Sequence, residues 1–166
     1  MYVPFDQLPD DSRIWIFQSD RLLSEEDIEA INPILNYFIS DWTAHQQTLR
    51  ASFTFLHNHF LIIGVDENMA VASGCSLDKV FHVVRACGQK INTDFLNRLR
   101  IAVMTDHTIT LHTIKQILEI AENRNSNEPL MIFSNIIETK REMKNNWLIP
   151  IEKSWLAPKL KSASKI

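Results

Sequence analysis

The apolar run Phe60–Asp66 constrains the fold more than any other stretch of the sequence. Its residues, Phe-Leu-Ile-Ile-Gly-Val-Asp, predict a strand that lies within a sheet rather than at its margin. A loop containing Gly74 follows, and apolar residues then recur at the three- and four-residue spacing of one helix face as far as Ile91. If the protein has a polar site, we expect it where this strand ends.

The strands and helices predicted on either side of residues 60–66 alternate in a regular order along the chain. Runs of β-branched and aromatic residues predict strands, and apolar residues at helical spacing predict helices. The strands cover residues 13–18, 51–56, 60–66 and 100–105, and the helices cover residues 24–42 and 76–91. This β-α-β-β-α-β order predicts an α+β fold with a ferredoxin-like sandwich core over residues 13–106.

Residues 107–158 are predicted as a helical C-terminal extension of the same single domain, residues 1–166. Apolar residues from Leu111 to Ala121 have helical spacing, and residues 130–133 have the composition of a fifth strand. The motif Thr139-x-x-Glu142 is a capping box and predicts a short helix. We expect the rest to be an extended tail whose two tryptophans pack on the domain.

The composition, 45% hydrophobic and 22% charged residues, is that of a globular protein. No apolar run approaches the roughly 20 residues of a membrane-spanning helix. The first residues also lack the basic and apolar pattern of a signal peptide. We therefore expect a cytoplasmic protein that does not associate with a membrane.

Charge is distributed unevenly along the chain. Residues 1–30 hold eight acidic groups against two arginines, and residues 140–166 hold seven basic groups against two glutamates. We expect these two ends to lie near each other, or near the opposite ends of a second copy in a homodimer. The basic residues are few, scattered and not interleaved with aromatic ones, so we predict no nucleic-acid partner.

Several short segments, spread over nearly the whole chain, form a recognisable set. They are residues 2–5, 13–16, 65–67, 72–78, 139–140 and 154–155, together with Trp147. This set resembles a family of small uncharacterised bacterial proteins that are often automatically labelled ABC transporter ATPases. The resemblance implies no activity. An ATPase of that kind needs a G-x-x-x-x-G-K-[ST] loop, and none of the three glycines precedes a lysine at that spacing, so the residues argue against the label.

Cys75 carries the most reactive chemistry near the end of the 60–66 strand. It is predicted just before a helix start, where free N–H groups and the helix dipole favour a thiolate. Ser73, Gly74 and Ser76 around it are candidates for an anion-binding nest. The alternative is a small, inert residue in a tight turn that Gly74 makes possible.

The predicted topology brings further polar residues to the same place. In a ferredoxin-like sheet the third and fourth strands run in the same direction, so Asp66 would share an edge with Asp106 and His107. His45, after the first helix, would reach that edge too. A Cys75 nucleophile, a His107 or His45 base and an Asp66 or Asp106 orienting group would then form a catalytic set. The candidate ligand contacts at this edge are Ser73, Gly74, Ser76, Asp106 and His45.

The histidines of the chain have no metal-binding spacing, so neither a metal nor a cofactor is predicted. The aromatic residues Trp42, Trp147 and Trp155 fit three roles: packing anchors, a small-molecule pocket, or a dimer interface. The function that we predict is a non-enzymatic binding or protein-interaction module. The alternative is a small enzyme that uses Cys75 as its nucleophile.

Overall fold

The computed structural model describes residues 1–44, 47–68, 74–124 and 128–163. Within these ranges the side chains of Ala44, Cys75, Ser76 and residues 161–163 lie outside what is described. The helices are α1 (Glu25–Asp41), α2 (Gly74–Ile91), α3 (Ile114–Asn123), α4 (Lys140–Asn146) and α5 (Ala157–Ala163). The strands are β1 (Arg13–Gln18), β2 (Thr43–Ala44), β3 (Gln47–Thr48), β4 (Arg50–Leu56), β5 (Phe60–Asp66), β6 (Ile101–Thr105), β7 (Thr108–His112), β8 (Met131–Phe133) and β9 (Leu148–Pro150). The protein is therefore of the α+β class, as predicted.

The first sheet has the antiparallel order β1-β5-β4, with β5 in the centre and every one of its residues buried. Alternate side chains of β5 enter two different cores, as a pleated strand requires. Leu61, Ile63 and Val65 pack in a core with α1 and α2. Phe60 and Ile62 pack in a second core on the opposite face. The prediction that residues 60–66 form an interior strand is confirmed.

The second sheet has the antiparallel order β7-β6-β8-β9 and supplies the other side of that second core. Ala102 and Phe133 face the first sheet, whereas Val103 and Ile132 face a third core that includes Ile117 of α3. The layers therefore run from α1 and α2 through the two sheets to α3. None of the helices in the described ranges has the length and apolar character needed to cross a membrane.

The strand at residues 101–105 departs from the predicted topology. Strands β1, β4 and β5 have the neighbours that a ferredoxin-like order gives them, but β6 does not pair with β1. It pairs with β7 and β8 in the second sheet instead. The physical reason is local, because Asp106 and His107 take the positive φ values, 48° and 63°, that a two-residue hairpin turn requires. The hairpin places β7 beside β6 at once.

Strand β7 also corrects the predicted third helix. Leu111 lies in β7, and α3 begins only at Ile114, behind a capping box formed by Thr113 and Gln116. The alternation Thr-Ile-Thr-Leu over residues 108–111 is the strand signal that the helical reading overlooked. After the predicted capping box at Thr139, α4 forms as expected, but the tail contains β9 and α5 rather than being merely extended.

Pro33 predicts a kink or a break in the first helix, with Asn32 as the cap of a second segment. The helix α1 instead runs through Pro33 without interruption. Its apolar side chains Ile31, Leu35 and Ile39 are fully buried against the first sheet. This burial is worth about 1.5–3 kcal/mol for each side chain, which offsets the roughly 3 kcal/mol that an interior proline costs.

The acidic beginning and the basic end of the chain meet within one molecule. Lys144 Nζ lies 2.7 Å from Asp10 Oδ1, and the backbone N–H of Arg141 donates to the Asp10 carbonyl at 2.7 Å. The buried Lys140 donates to the carbonyl oxygens of Asp6 and Leu8. These contacts confirm the intramolecular alternative of the two that the charge distribution suggested.

Candidate functional site

The side chains predicted around Cys75 are only partly placed. Helix α2 begins at Gly74, so Cys75 lies in its first turn rather than before the helix, and Ser76 follows in the same turn. The side chains of these two residues, and the whole of Ser73 and His45, lie outside the described residues. The chemistry assigned to them stays a prediction.

Asp66 is buried at the end of β5 and its carboxylate has partners inside the fold. Oδ2 lies 3.5 Å from the Arg50 guanidinium, which also donates to the Gln7 carbonyl. Oδ1 accepts from the backbone N–H and the side-chain amide of Asn68 at 3.1 and 2.9 Å. These contacts give Asp66 a structural role, since its carboxylate joins β4 to the turn that follows β5.

Asp106 and His107 do not share a sheet edge with Asp66. They form the exposed turn between β6 and β7 in the second sheet, whereas Asp66 ends a strand of the first. No hydrogen bond or ion pair joins either residue to Asp66 in the part of the chain that the structure describes. The predicted common edge is wrong because it required residues 60–66 and 101–105 to lie in one sheet.

The position that the predicted order assigns to a fourth strand, beside β1, is an open groove. This β1-edge groove has a volume of about 360 Å³. Its floor is β1, and its two walls are apolar. Phe81, Phe95 and Leu96 form the wall on the side of α2, and Ile136, Ile137 and Trp155 form the wall on the side of the second sheet.

The backbone of β1 presents hydrogen-bonding groups to this groove. Ser19 N–H donates to His59 O at 2.8 Å, in register with the β1–β5 ladder. In an antiparallel ladder every second residue faces the partner strand, so Ile14, Ile16 and Gln18 direct their N–H and C=O groups away from β5. Ile14 confirms this, because its N–H donates to Glu138 O at 2.8 Å. The N–H and C=O of Ile16 have no hydrogen-bond partner within the described ranges.

Each end of the groove is closed by a contact to the segment after β8. At the Arg13 end, the Ile14 bond to Glu138 is followed by a bond from Lys140 N–H to Ser12 O at 3.0 Å. Four residues further along, the floor ends at the side chain of Gln18. The open edge between them is about 13 Å long, at about 3.3 Å per residue.

The Gln18 side chain acts as a backbone substitute at the far end of β1. Its Nε2 donates to Arg100 O at 3.1 Å, and its Oε1 accepts from Ala102 N–H at 3.2 Å. The same oxygen accepts from Asn135 Nδ2 at 3.2 Å, and Asn135 is held in turn by the indole N–H of Trp147 at 2.9 Å. One buried amide therefore anchors both β6 and the segment after β8 to β1.

Charge along the groove is polarised. Arg98 and Arg100 lie exposed at the Gln18 end, and neither forms an ion pair with another described residue. At the opposite end Arg13 lies over the Trp15 ring and 3.9 Å from a Glu67 carboxylate oxygen. Among the described residues, the lining therefore has three guanidinium groups and one carboxylate, that of Glu138, in a chain whose net charge is −3.

Two other side chains that could act as nucleophiles, Cys87 and Ser19, are fully buried. Cys87 is fully buried, which raises the pKa of its thiol to about 12. Ser19 Oγ lies 3.5 Å from His59 Nδ1, but this hydroxyl is fully buried and donates to backbone carbonyls such as that of Arg21. Among the described residues no group of three His, Cys, Asp or Glu side chains is placed to hold a metal ion.

Sequence reasoning placed the site at the end of β5 and missed the edge of β1. It predicted β1 itself correctly, but no pattern in residues 13–18 shows which element covers the side of the strand opposite β5. A weak signal is the Arg-Leu-Arg triplet at residues 98–100, where the fourth predicted strand begins. No protein-family model, curated protein or solved structure matches this chain significantly.

Proposed function

We propose that the protein is a non-enzymatic interaction module that binds a short extended peptide segment as an additional strand on the open edge of β1. The observation that carries this proposal is that the N–H and C=O of Ile16, at the floor of a groove with two apolar walls, have no partner among the residues that the structure describes. Open strand edges pair readily with another extended chain, which gains main-chain hydrogen bonds and places alternate side chains on either side.

The layer structure favours a strand over a compact ligand. The β1-edge groove lies between the α2 layer and the second sheet, in continuation of the first sheet. Side chains of an added strand would alternate between the wall containing Phe81 and the wall containing Trp155. The partner's segment would then take the position beside β1 that the predicted ferredoxin-like order gives to the fourth strand.

The length of the open edge sets the size of the segment. About 13 Å of edge accommodates three to five extended residues. Ile136 and Trp155, at 68% and 43% exposure, are large apolar side chains that such a segment would cover. Their exposure beside open backbone groups is typical of a recognition surface.

The test uses two fluorescein-labelled hexapeptide amides, Thr-Val-Thr-Val-Asp-Asp and Thr-Val-Thr-Val-Asn-Asn, whose β-branched residues favour an extended chain. Binding is followed by fluorescence anisotropy, and amide exchange is followed by NMR. We expect at least one peptide to slow exchange of the Ile16 N–H. The Phe17 N–H faces β5, so it should be protected with or without peptide.

The variant Ile16→Pro removes the N–H that faces the groove and leaves the bonds to β5 in place, because proline is tolerated on an open strand edge. The matched control Ile16→Val keeps the N–H. We expect Ile16→Pro to abolish binding and Ile16→Val to retain it, with both variants folded by circular dichroism. If neither peptide slows exchange of the Ile16 N–H, the proposal is refuted.

Self-association is the competing occupant of the same edge. If two copies paired through β1, light scattering would show a dimer at micromolar concentration and Ile16→Pro would convert it to a monomer. That result would assign the groove to a homodimer and overturn the peptide proposal.

A further inference from the structure

We infer that the segment bound in the β1-edge groove carries acidic side chains at the Gln18 end, where Arg98 and Arg100 bind their carboxylates. This inference rests on the proposed function and names the chemistry of the partner. It follows from where the charged groups stand along the groove and from how firmly their backbone is held.

The two arginines project from an anchored segment. The carbonyl of Arg100 accepts from the Gln18 side chain at 3.1 Å, and the N–H of Leu99 is bonded to Asn97 Oδ1 at 2.9 Å. Ala102, two residues further on, is held by the same Gln18 amide. The guanidinium groups therefore start from a fixed backbone at one end of the groove.

Neither guanidinium has a carboxylate partner among the described residues, although the chain has an excess of acidic groups. Arginine binds carboxylates through two parallel N–H donors and combines this with apolar contact along its stem. Two such side chains at the rim of an apolar groove are complementary to an extended segment with apolar residues followed by acidic ones.

The opposite end of the groove disfavours acidic side chains of a bound segment. Glu138 is exposed there, next to the Ile14 N–H that its carbonyl accepts from. Arg13, a basic residue that lines this end, already lies beside Glu67 and over Trp15. A carboxylate at this end would meet like charge, so the acidic residues belong at the Gln18 end.

The experiment compares the two peptides described above on three proteins. On the wild type at low salt, we expect the Asp-Asp peptide to bind about tenfold more tightly than the Asn-Asn peptide, which is the effect of two exposed ion pairs. The double variant Arg98→Gln with Arg100→Gln should bring this ratio to about one. Addition of 0.5 M salt should reduce the wild-type ratio in the same direction.

The control double variant is Arg85→Gln with Lys90→Gln, which removes the same charge from exposed positions of α2 that do not line the groove. It should keep the preference for the acidic peptide. Equal affinity of the wild type for both peptides, or loss of the preference in the control variant, would overturn the inference.

Failure of this inference is distinguishable from failure of the proposed function. If both peptides protect the Ile16 N–H with equal affinity, the strand site stands and the acidic preference is wrong. If neither peptide protects Ile16, the strand site is wrong and the acidic preference falls with it.

Discussion

The substitution Gly88→Ala tests the tertiary structure against helix propensity, because the two predict opposite signs. Gly88 lies inside α2, where alanine is intrinsically better than glycine by about 1 kcal/mol. In the fold, however, a Cβ on residue 88 would lie 2.4 Å from the carbonyl oxygen of Thr93. The chain folds back here through Asn92, whose φ of 51° is left-handed, and Thr93 N–H donates to Gly88 O at 2.9 Å.

The size of the effect follows from what has to move. The contact is about 1 Å too close for carbon and oxygen, and the atom in the way is backbone rather than the end of a flexible side chain. Shifting Thr93 would break its bond to Gly88, worth about 1 kcal/mol, and would add packing strain of about 1–3 kcal/mol. After the gain in helix propensity is subtracted, we expect Gly88→Ala to lower the free energy of unfolding by about 1–3 kcal/mol.

The assay is urea unfolding followed by tryptophan fluorescence, and Gly74→Ala is the matched control. A Cβ at Gly74, also in α2, would meet no atom of a described residue within 4 Å, so this variant should be neutral or slightly more stable. If Gly88→Ala is as stable as Gly74→Ala, that result would contradict the close approach of the Thr93 carbonyl to residue 88. The displaced Thr93 leads directly to Phe95 in the groove wall, so Gly88→Ala should also weaken peptide binding.

Three further predictions concern titrating groups. Burial lowers the pKa of His59 below its usual 6.5, so the unfolded chain takes up a proton at higher pH than the folded chain does. Thermal stability should therefore fall as the pH drops below about 6.5. In melting curves between pH 7 and pH 5, His59→Asn should flatten this dependence. The bidentate bond from Arg21 lowers the pKa of Asp27 to about 2, so its stabilisation is present above pH 3.8 and lost towards pH 2. Urea titrations of Asp27→Asn at pH 7 and pH 2 should show a deficit at pH 7 that shrinks at pH 2; an equal deficit at both would contradict this. Burial raises the pKa of Cys87 to about 12, so this thiol should not react with a thiol reagent at pH 8 in the folded protein. The variant Cys75→Ala, which keeps only Cys87, should therefore be labelled only after denaturation. Rapid labelling of the native variant would show that Cys87 is accessible.

Much of the local structure is readable from the sequence because it depends on neighbours in the chain. The capping box at Thr139 formed where its spacing predicted it, and the first helix begins behind another capping box at Ser24. The turn at His57 and Asn58 has the left-handed backbone of a tight hairpin, and β5 is buried as its apolar composition requires. These features follow from side-chain to backbone bonds and from hydrophobic periodicity, which act over a few residues.

Only the tertiary structure decided which strands became neighbours. Residues 101–105 read as a strand, but their own sequence does not show whether they pair with β1 or with β7, since either partner satisfies the same backbone groups. The left-handed turn at Asp106 and His107, together with the Gln18 amide, set β6 in the second sheet. The edge of β1 at Ile16 stayed open as a result, and that open edge is the candidate site.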